Sequence, residues 1–322
     1  MASFPHHPGL RPLETSWRAH ARQVNDLVVL PDGDTCVSAS EDGDVLAWSL
    51  RAEQVLVELS GHTGPVNSLA LSPDGHGLLS AGDDGDVRVW STSTWRTHVI
   101  LEGHSGYVRQ VAATDRLAED DTVRVWDLDS GRCVRVLEGH DDDVVAVAVD
   151  PAGRRAVSAS LDNCLVVWDL ERGELERVLY EAGGEIMRVA GTRTYLPMGG
   201  SRGRHHVAPG RLLVGAAGDT LLSAAGEVIT WDLGTGAELA RWAEQGWHID
   251  AMAMHPDGDQ LAVGTSAALS LWNGPAAGRE PGGAAVLCTG DVCALAYSPD
   301  GKLLVSGAGD GTIGVWCSRS DP

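Results

Sequence analysis

The sequence predicts an all-β chain built from seven copies of one four-stranded antiparallel sheet, and three observations carry that prediction. Residues 131–170, GRCVRVLEGHDDDVVAVAVDPAGRRAVSASLDNCLVVWDL, contain four strand-sized apolar runs: Val134 to Leu137, Val144 to Val149, Arg155 to Ala159 and Cys164 to Trp168. Asp150-Pro151-Ala152-Gly153 and Leu161-Asp162-Asn163 supply turn chemistry between them. Tryptophans end the equivalent run at Trp48, Trp90, Trp126, Trp168, Trp231, Trp272 and Trp316, with spacings of 42, 36, 42, 63, 41 and 44. Gly-His recurs at Gly61-His62, Gly103-His104 and Gly139-His140, with Ala19-His20 in the same place. One sheet of this size cannot bury both of its faces, so each copy must stack on the next.

Further matches repeat at fixed offsets: the Ser-Pro-Asp-Gly turn (Ser72 to Gly75; Ser298 to Gly301) and Trp-Asp at Trp126-Asp127, Trp168-Asp169 and Trp231-Asp232. Over roughly residues 10–317 the chain resembles the WD-repeat β-propeller family. The resemblance implies a seven-bladed propeller, a buried His–Ser–Asp–Trp tetrad in each complete blade, and working residues on the loops at one end of the central channel.

The elements follow in order. Residues 1–9 are expected to be a disordered leader and 10–322 a single propeller domain. Leu10 to Trp17 occupy the place of an outermost strand, and no such strand follows Trp316. The first strand is therefore expected to pair onto the last blade and close the ring, removing two exposed edges. Repeats one, two and four are regular, with tetrads His20, Ser38, Asp42, Trp48; His62, Ser80, Asp84, Trp90; and His140, Ser158, Asp162, Trp168. Ser, His and Asp also make a catalytic triad, but three copies at identical spacing favour a structural role.

Repeat three, about 104–126, is six residues short around Thr114 to Glu119, which leaves either a very short second strand or a partly open sheet, with Arg116 near the serine place. Repeat five is expanded. Its first strand is placed at Ile186 to Ala190, and its second either at Arg211 to Ala216, the preferred register, or at Thr220 to Ala224 turning through Ala225-Gly226. An expanded loop spans about 192–209. In repeats six and seven Gln245 and Cys288 stand where His is expected, while repeat seven keeps Ser306, Asp310 and Trp316.

A formal net charge of −21 argues against nucleic acid as a ligand, because phosphate binding depends on Lys and Arg displacing counterions. Six cysteines without a CxxC pair point to a reducing compartment. The first residues have neither a basic start nor an apolar run, and no stretch is long and apolar enough for a membrane helix. The expectation is a cytoplasmic monomer without membrane contact. One lysine, Lys302, beside many Arg and Ala gives a composition of bacterial type.

The resemblance also places the rim residues: the position after the first apolar residue of each inner strand, the position before it, and the one preceding the tetrad Asp. These are Gln23, Asn25 and Glu41; Pro65, Asn67 and Asp83; Tyr107, Arg109 and Glu119; Asp143, Val145 and Leu161; then Glu185, Met187, His248, Asp250, Asp291 and Cys293, with Trp247 adjacent. This acidic set with aromatic anchors suits a Lys- or Arg-bearing protein or peptide, and implies a non-enzymatic scaffold without cofactor. Two other readings stand beside it. One is a hydrolase- or lyase-type enzyme with His248, Asp250 and Asp291 in the channel mouth; the other is a sensor propeller acting in trans with an ATPase. The segment Ile186 to Gly218 has no Asp or Glu but carries Arg202, Arg204, His205, His206 and Arg211, able to grip a phosphate or acidic partner or to fold back on the rim. Adjacent histidines at His6-His7 and His205-His206 lack the further ligands of a metal site.

Overall fold

The computed structural model describes residues 10–104, 106–114, 116–119, 122–162, 164–179, 211–214, 219–224, 228–242, 249–258, 260–273, 282–289 and 291–318. All regular structure among them is β-strand. The expected leader at 1–9 and the expanded loop at 192–209 lie outside the described residues.

The strands form a β-propeller whose blades are four-stranded antiparallel sheets, each running from an inner to an outer strand. The first sheet contains Val24–Val29, Thr35–Ser40, Val45–Ser49 and Gln54–Glu58; the second contains Val66–Leu71, Gly77–Gly82, Val87–Ser91 and Thr97–Leu101. The third is Val111–Thr114, Arg116–Glu119, Val123–Asp127 and Arg132–Leu137; the fourth is Val144–Val149, Arg155–Ser160, Leu165–Asp169 and Glu174–Leu179. Arg211–Val214, Thr220–Ala224, Val228–Asp232 and Glu238–Trp242 make the fifth, and Ile249–Met254, Gln260–Thr265, Ala268–Asn273 and Gly282–Thr289 the sixth. The last sheet joins Val292–Tyr297, Leu303–Ala308 and Thr312–Ser318 to Leu10–Arg18 from the start of the chain, with Trp17 opposite Ile313 and Arg18 opposite Thr312. Inner strands neighbour one another in cyclic order, and Val24–Val29 lies against Val292–Tyr297.

The core is a set of separate layers between sheets. Each apolar cluster joins two consecutive sheets, and the repeating tryptophan fills the layer facing the preceding one: Trp90 packs with Val37 and Val45, Trp168 with Val123 and Val125, Trp231 with Val157 and Val167. The 42-residue period is thus a packing period, one large buried ring per interface. The Ser-Pro-Asp-Gly turn works by a different rule: Gly75 and Gly301 sit at φ +72° and +69°, where a Cβ is disfavoured, while Asp74 accepts from the His76 backbone N–H at 2.9 Å.

The three predicted tetrads are formed. His20 Nε2 meets Ser38 Oγ at 2.7 Å, its Nδ1 lies 3.2 Å from Asp42, and Trp48 Nε1 donates to Ser38 Oγ at 3.0 Å. In the second sheet the corresponding distances are 2.7 Å for His62–Ser80, 2.9 Å for His62–Asp84 and 2.8 Å for Trp90–Ser80. In the fourth they are 2.7, 2.8 and 2.7 Å for His140–Ser158, His140–Asp162 and Trp168–Ser158. Each serine is fully buried. The Asp also closes a loop, since Asp42, Asp84 and Asp162 accept from the backbone N–H of Ala21, Thr63 and Asp141.

Two expectations are corrected. In the fifth sheet Arg211–Val214 is the inner strand and Thr220–Ala224 the second, so the alternative register holds. The trace of that strand is polar: Trp231 Nε1 donates to Ser223 Oγ at 2.9 Å, which requires Ser223 on the second strand. The echo between GRLLVGAAGD and the last repeat misled because it matches apolar content and a glycine turn, which inner and second strands share. In the third sheet the second strand does form, as the four residues Arg116–Glu119. Its register puts Ala118, and not Arg116, at the serine place: Ala118 pairs with Arg124 as Ser80 pairs with Arg88.

That register has an energetic consequence. The Trp126 indole N–H is buried without a hydrogen-bond partner among the described residues, whereas Trp48, Trp90 and Trp168 all donate to serine. An unsatisfied buried donor costs about 1–3 kcal/mol. Ala118→Ser is therefore expected to stabilise the protein by roughly 1–2 kcal/mol and raise the melting temperature by a few degrees. Calorimetry of the variant checks this; a lower melting temperature would show that the serine does not meet Trp126.

Candidate functional site

The rim is assembled by one local device. Where five of the inner strands begin, the pairing register slips by one residue: between Val24 and Asp26, Val66 and Ser68, Val144 and Ala146, Ile249 and Ala251, and Val292 and Ala294. The extra residues are Asn25, Asn67, Val145, Asp250 and Cys293, all positions assigned to the rim from sequence. Such a bulge leaves one residue out of the ladder and re-aims its side chain.

A second bond gathers the other rim positions. The residue before the tetrad Asp donates its backbone N–H to the carbonyl of the residue before the inner strand: Glu41 to Gln23 at 3.0 Å, Asp83 to Pro65 at 2.9 Å, and Leu161 to Asp143 at 2.9 Å. Positions about eighteen residues apart in sequence thus become neighbours in every regular blade.

Eight of the predicted positions line one hollow of about 340 Å³: Gln23, Asn25, Glu41, Pro65, Asn67, Asp83, Tyr107 and Arg109. A smaller hollow of about 140 Å³, lined by Gly106, Tyr107, Arg109, Asp143 and Val144, shares two of those residues and extends the trough to the fourth blade. Tyr107 is 60 % exposed and Leu161 45 %. Arg109 Nη2 lies 3.9 Å from Asp143 Oδ2, and Arg22 Nη1 lies 3.5 Å from Glu41 Oε1. The trough is mostly polar, with carboxylates on the first, second and fourth blades and one aromatic side chain on the third.

The two rim asparagines have structural ties as well. Asn25 Nδ2 donates to Val66 O and Asn67 Nδ2 to Val108 O, both at 2.9 Å, so each bulged amide holds the next blade's inner segment. Asn67 also donates to Asp83 at 2.8 Å. Beneath them runs a layer that reading the sequence missed. Asp26 Oδ2 accepts from Ser68 Oγ at 3.0 Å and Leu69 N at 2.7 Å, Ser68 Oγ accepts from Val111 N at 3.2 Å, and Gln110 Oε1 accepts from Val147 N at 3.2 Å. These bonds stitch four inner strands under the trough. The available signal was a polar residue recurring every 42 residues at or just before the start of three successive inner strands: Asp26, Ser68 and Gln110.

Among the described residues, Asp250 and Asp291 do not join the trough. Asp250 is half-buried on Ile249–Met254. Asp291 is exposed ahead of Val292–Tyr297, with the Cys293 thiol donating to it at 3.4 Å. Trp247 and His248 lie outside the described residues, as do Glu185, Met187, Arg202, Arg204, His205 and His206. Since Arg211–Val214 is the fifth inner strand, the offset rule no longer selects Glu185 and Met187. Among the described residues no cluster of His, Cys, Asp and Glu has the makings of a metal site, and no helix is long and apolar enough to cross a membrane.

Comparison with known families fits this geometry. The family described as WD40 (WD domain, G-beta repeat) matches residues 11–49, 53–91, 131–169 and 285–317, a little under half of the chain. The chain matches the WD-repeat model at four places. The four matches end in the first, second, fourth and last sheets, those that keep Ser, Asp and Trp of the tetrad, which supports placing the protein in the WD-repeat family. Propellers of WD repeats are generally non-enzymatic scaffolds that bind proteins. No curated protein sequence matches the chain significantly.

Proposed function

We propose that this WD-repeat protein is a closed seven-bladed scaffold that binds a protein or peptide with Lys or Arg side chains along the trough spanning its first four blades. The observation that carries the reading is the convergence of eight independently assigned rim positions on one hollow, with Glu41, Asp83 and Asp143 spaced along it and Tyr107 exposed between them. Carboxylates on an acidic surface steer a cationic segment, and an exposed aromatic ring anchors it. The bulges and the polar layer beneath give a preformed floor, so little ordering is needed on binding. Catalysis, nucleic acid and membranes have no part in this reading, which takes the protein to be a cytoplasmic monomer; six cysteines without a CxxC pair support a reducing compartment.

Binding to an array of immobilised ten-residue peptides that differ in Lys and Arg content tests it. The wild type is expected to bind peptides that carry a Lys or Arg over those that carry neither, with affinity falling as salt rises. Asp83→Ala with Asp143→Ala is expected to lose roughly tenfold in binding while the melting temperature stays within about two degrees. Equal binding by the variant would remove the trough from the mechanism.

A further inference from the structure

The trough already contains cations of its own. Arg22 pairs with Glu41 at one end and Arg109 with Asp143 at the other, at 3.5 and 3.9 Å, with all four side chains 44–59 % exposed. Pairs of that length and exposure are weak and exchange readily with other partners. Asp83, between them, has no cation within ion-pair distance among the described residues and accepts only from Asn67. The three acids are therefore not equivalent. A guest's ammonium or guanidinium meets no competitor at Asp83, but at Asp143 it must displace a resident guanidinium of like charge.

Arg109 has the better placement of the two arginines. It lines both hollows and stands at their junction, two residues from the exposed Tyr107 ring. Its planar fork has five donors, and one long contact to Asp143 leaves most of them for a second acceptor. A carboxylate is the acceptor that matches that fork bidentately.

Resting on the scaffold reading above, we propose that Arg109 is a specificity-determining residue that reads an acidic side chain of the partner. The preferred guest is then an extended segment of mixed charge, with a Lys or Arg set at Asp83 and an Asp or Glu set at Arg109. A uniformly basic segment places a positive charge against Arg109 and is disfavoured.

The test is a scan of ten-residue Gly/Ser peptides carrying one Arg and, at each possible separation, a second residue that is Glu, Gln or Arg. Wild-type protein is expected to bind the best Arg/Glu peptide roughly fivefold more tightly than its Arg/Arg counterpart. Arg109→Glu is expected to invert that order, and Arg109→Gln to abolish the preference while still binding both; the glutamine variant keeps the test informative if the charge reversal perturbs folding. If both Arg109 variants rank the peptides as the wild type does, the proposal is overturned. Asp83→Asn separates the two levels: loss of all binding with an unchanged Arg109 ranking would retain the basic-partner reading and reject the role of Arg109, and no loss would reject both.

Discussion

Removal of residues 1–18 is expected to lower the melting temperature by roughly 10 °C. The strand Leu10–Arg18 covers the outer edge of Thr312–Ser318, with three residues in register on each side of an irregularity between Pro12 and Ser16. Its loss also uncovers apolar surface. Trp17 packs against the cluster shared by the last and first sheets, with its ring 5.9 Å from that of Trp48. Truncating a packed tryptophan alone costs about 3–5 kcal/mol, and the partial exposure of Trp17 places it toward the lower end. The Arg18 guanidinium contributes too, donating to the carbonyls of His20 and Ala21 at 3.2 and 3.1 Å and so bracing the segment that carries the first tetrad histidine. A free edge strand also invites pairing between molecules. Thermal melts and light scattering of the truncated protein check both effects; an unchanged melting curve would mean that the first strand contributes nothing to closing the ring.

The repeated architecture was legible because it is written in packing residues with a fixed period. Trp90, Trp168 and Trp231 each fill an interface, and an interface recurs once per blade, so their spacing reports the blade count directly. The tetrads were legible for a related reason: Ser38, Ser80 and Ser158 are fully buried, and a buried hydroxyl needs partners at set offsets. Where partners were lost the reading failed. In the fifth sheet the Ser–Trp pair survives without the offset of ten residues seen in Ser80 and Trp90, because Ser223 and Trp231 are eight apart on a shorter hairpin. In the third, Ala118 is silent in sequence, and only strand pairing with Arg124 reveals that it stands for a serine.

The rim was legible as a set of places but not as energetics. Sequence offsets found Asn25 and Asn67, yet gave no sign that both amides are engaged by the next blade's carbonyls. Their contribution to a partner is thus divided with a contribution to the floor. Asp26 shows the opposite error. A carboxylate one residue inside the rim looks like one more acidic position, but it accepts from Ser68 and Leu69 and belongs to the structural layer. Side chains with open acceptors remain Glu41, Asp83 and Asp143, and binding variants belong there.

Ser80→Ala is expected to destabilise the protein by about 2–6 kcal/mol, with the opposite sign to Ala118→Ser and for the same reason. Burial lowers the proton affinity of His20 and His62, the nearby Asp42 and Asp84 only partly opposing it, so both rings are neutral around pH 7. A neutral ring whose Nδ1–H donates to Asp84 must accept at Nε2, and Ser80 O–H fills that role while its oxygen accepts from Trp90. Every donor in the tetrad has one acceptor. Alanine leaves Nε2 and the indole N–H unpaired, at about 1–3 kcal/mol each. The same arrangement makes stability depend on pH. Since the folded-state histidine pKa lies below the unfolded value of about 6.5, the unfolded chain takes up protons first on acidification. Stability is then full above about 6.5 and declines as pH falls toward the lowered folded value. A second loss follows at lower pH. Burial works to raise the Asp84 carboxyl, but the bonds from Thr63 N and His62 outweigh it, so its contribution is present above the ordinary carboxylate value and lost as pH falls through the lowered one. Melting temperature measured from pH 8 to 5 is expected to be level above 6.5 and to fall below it in the wild type. In Ser80→Ala the protonated ring no longer faces a hydroxyl that must reorient, so the fall is expected to be shallower. A steeper fall in the variant would show that the serine favours the charged ring, and the neutral-tetrad account would have to be abandoned.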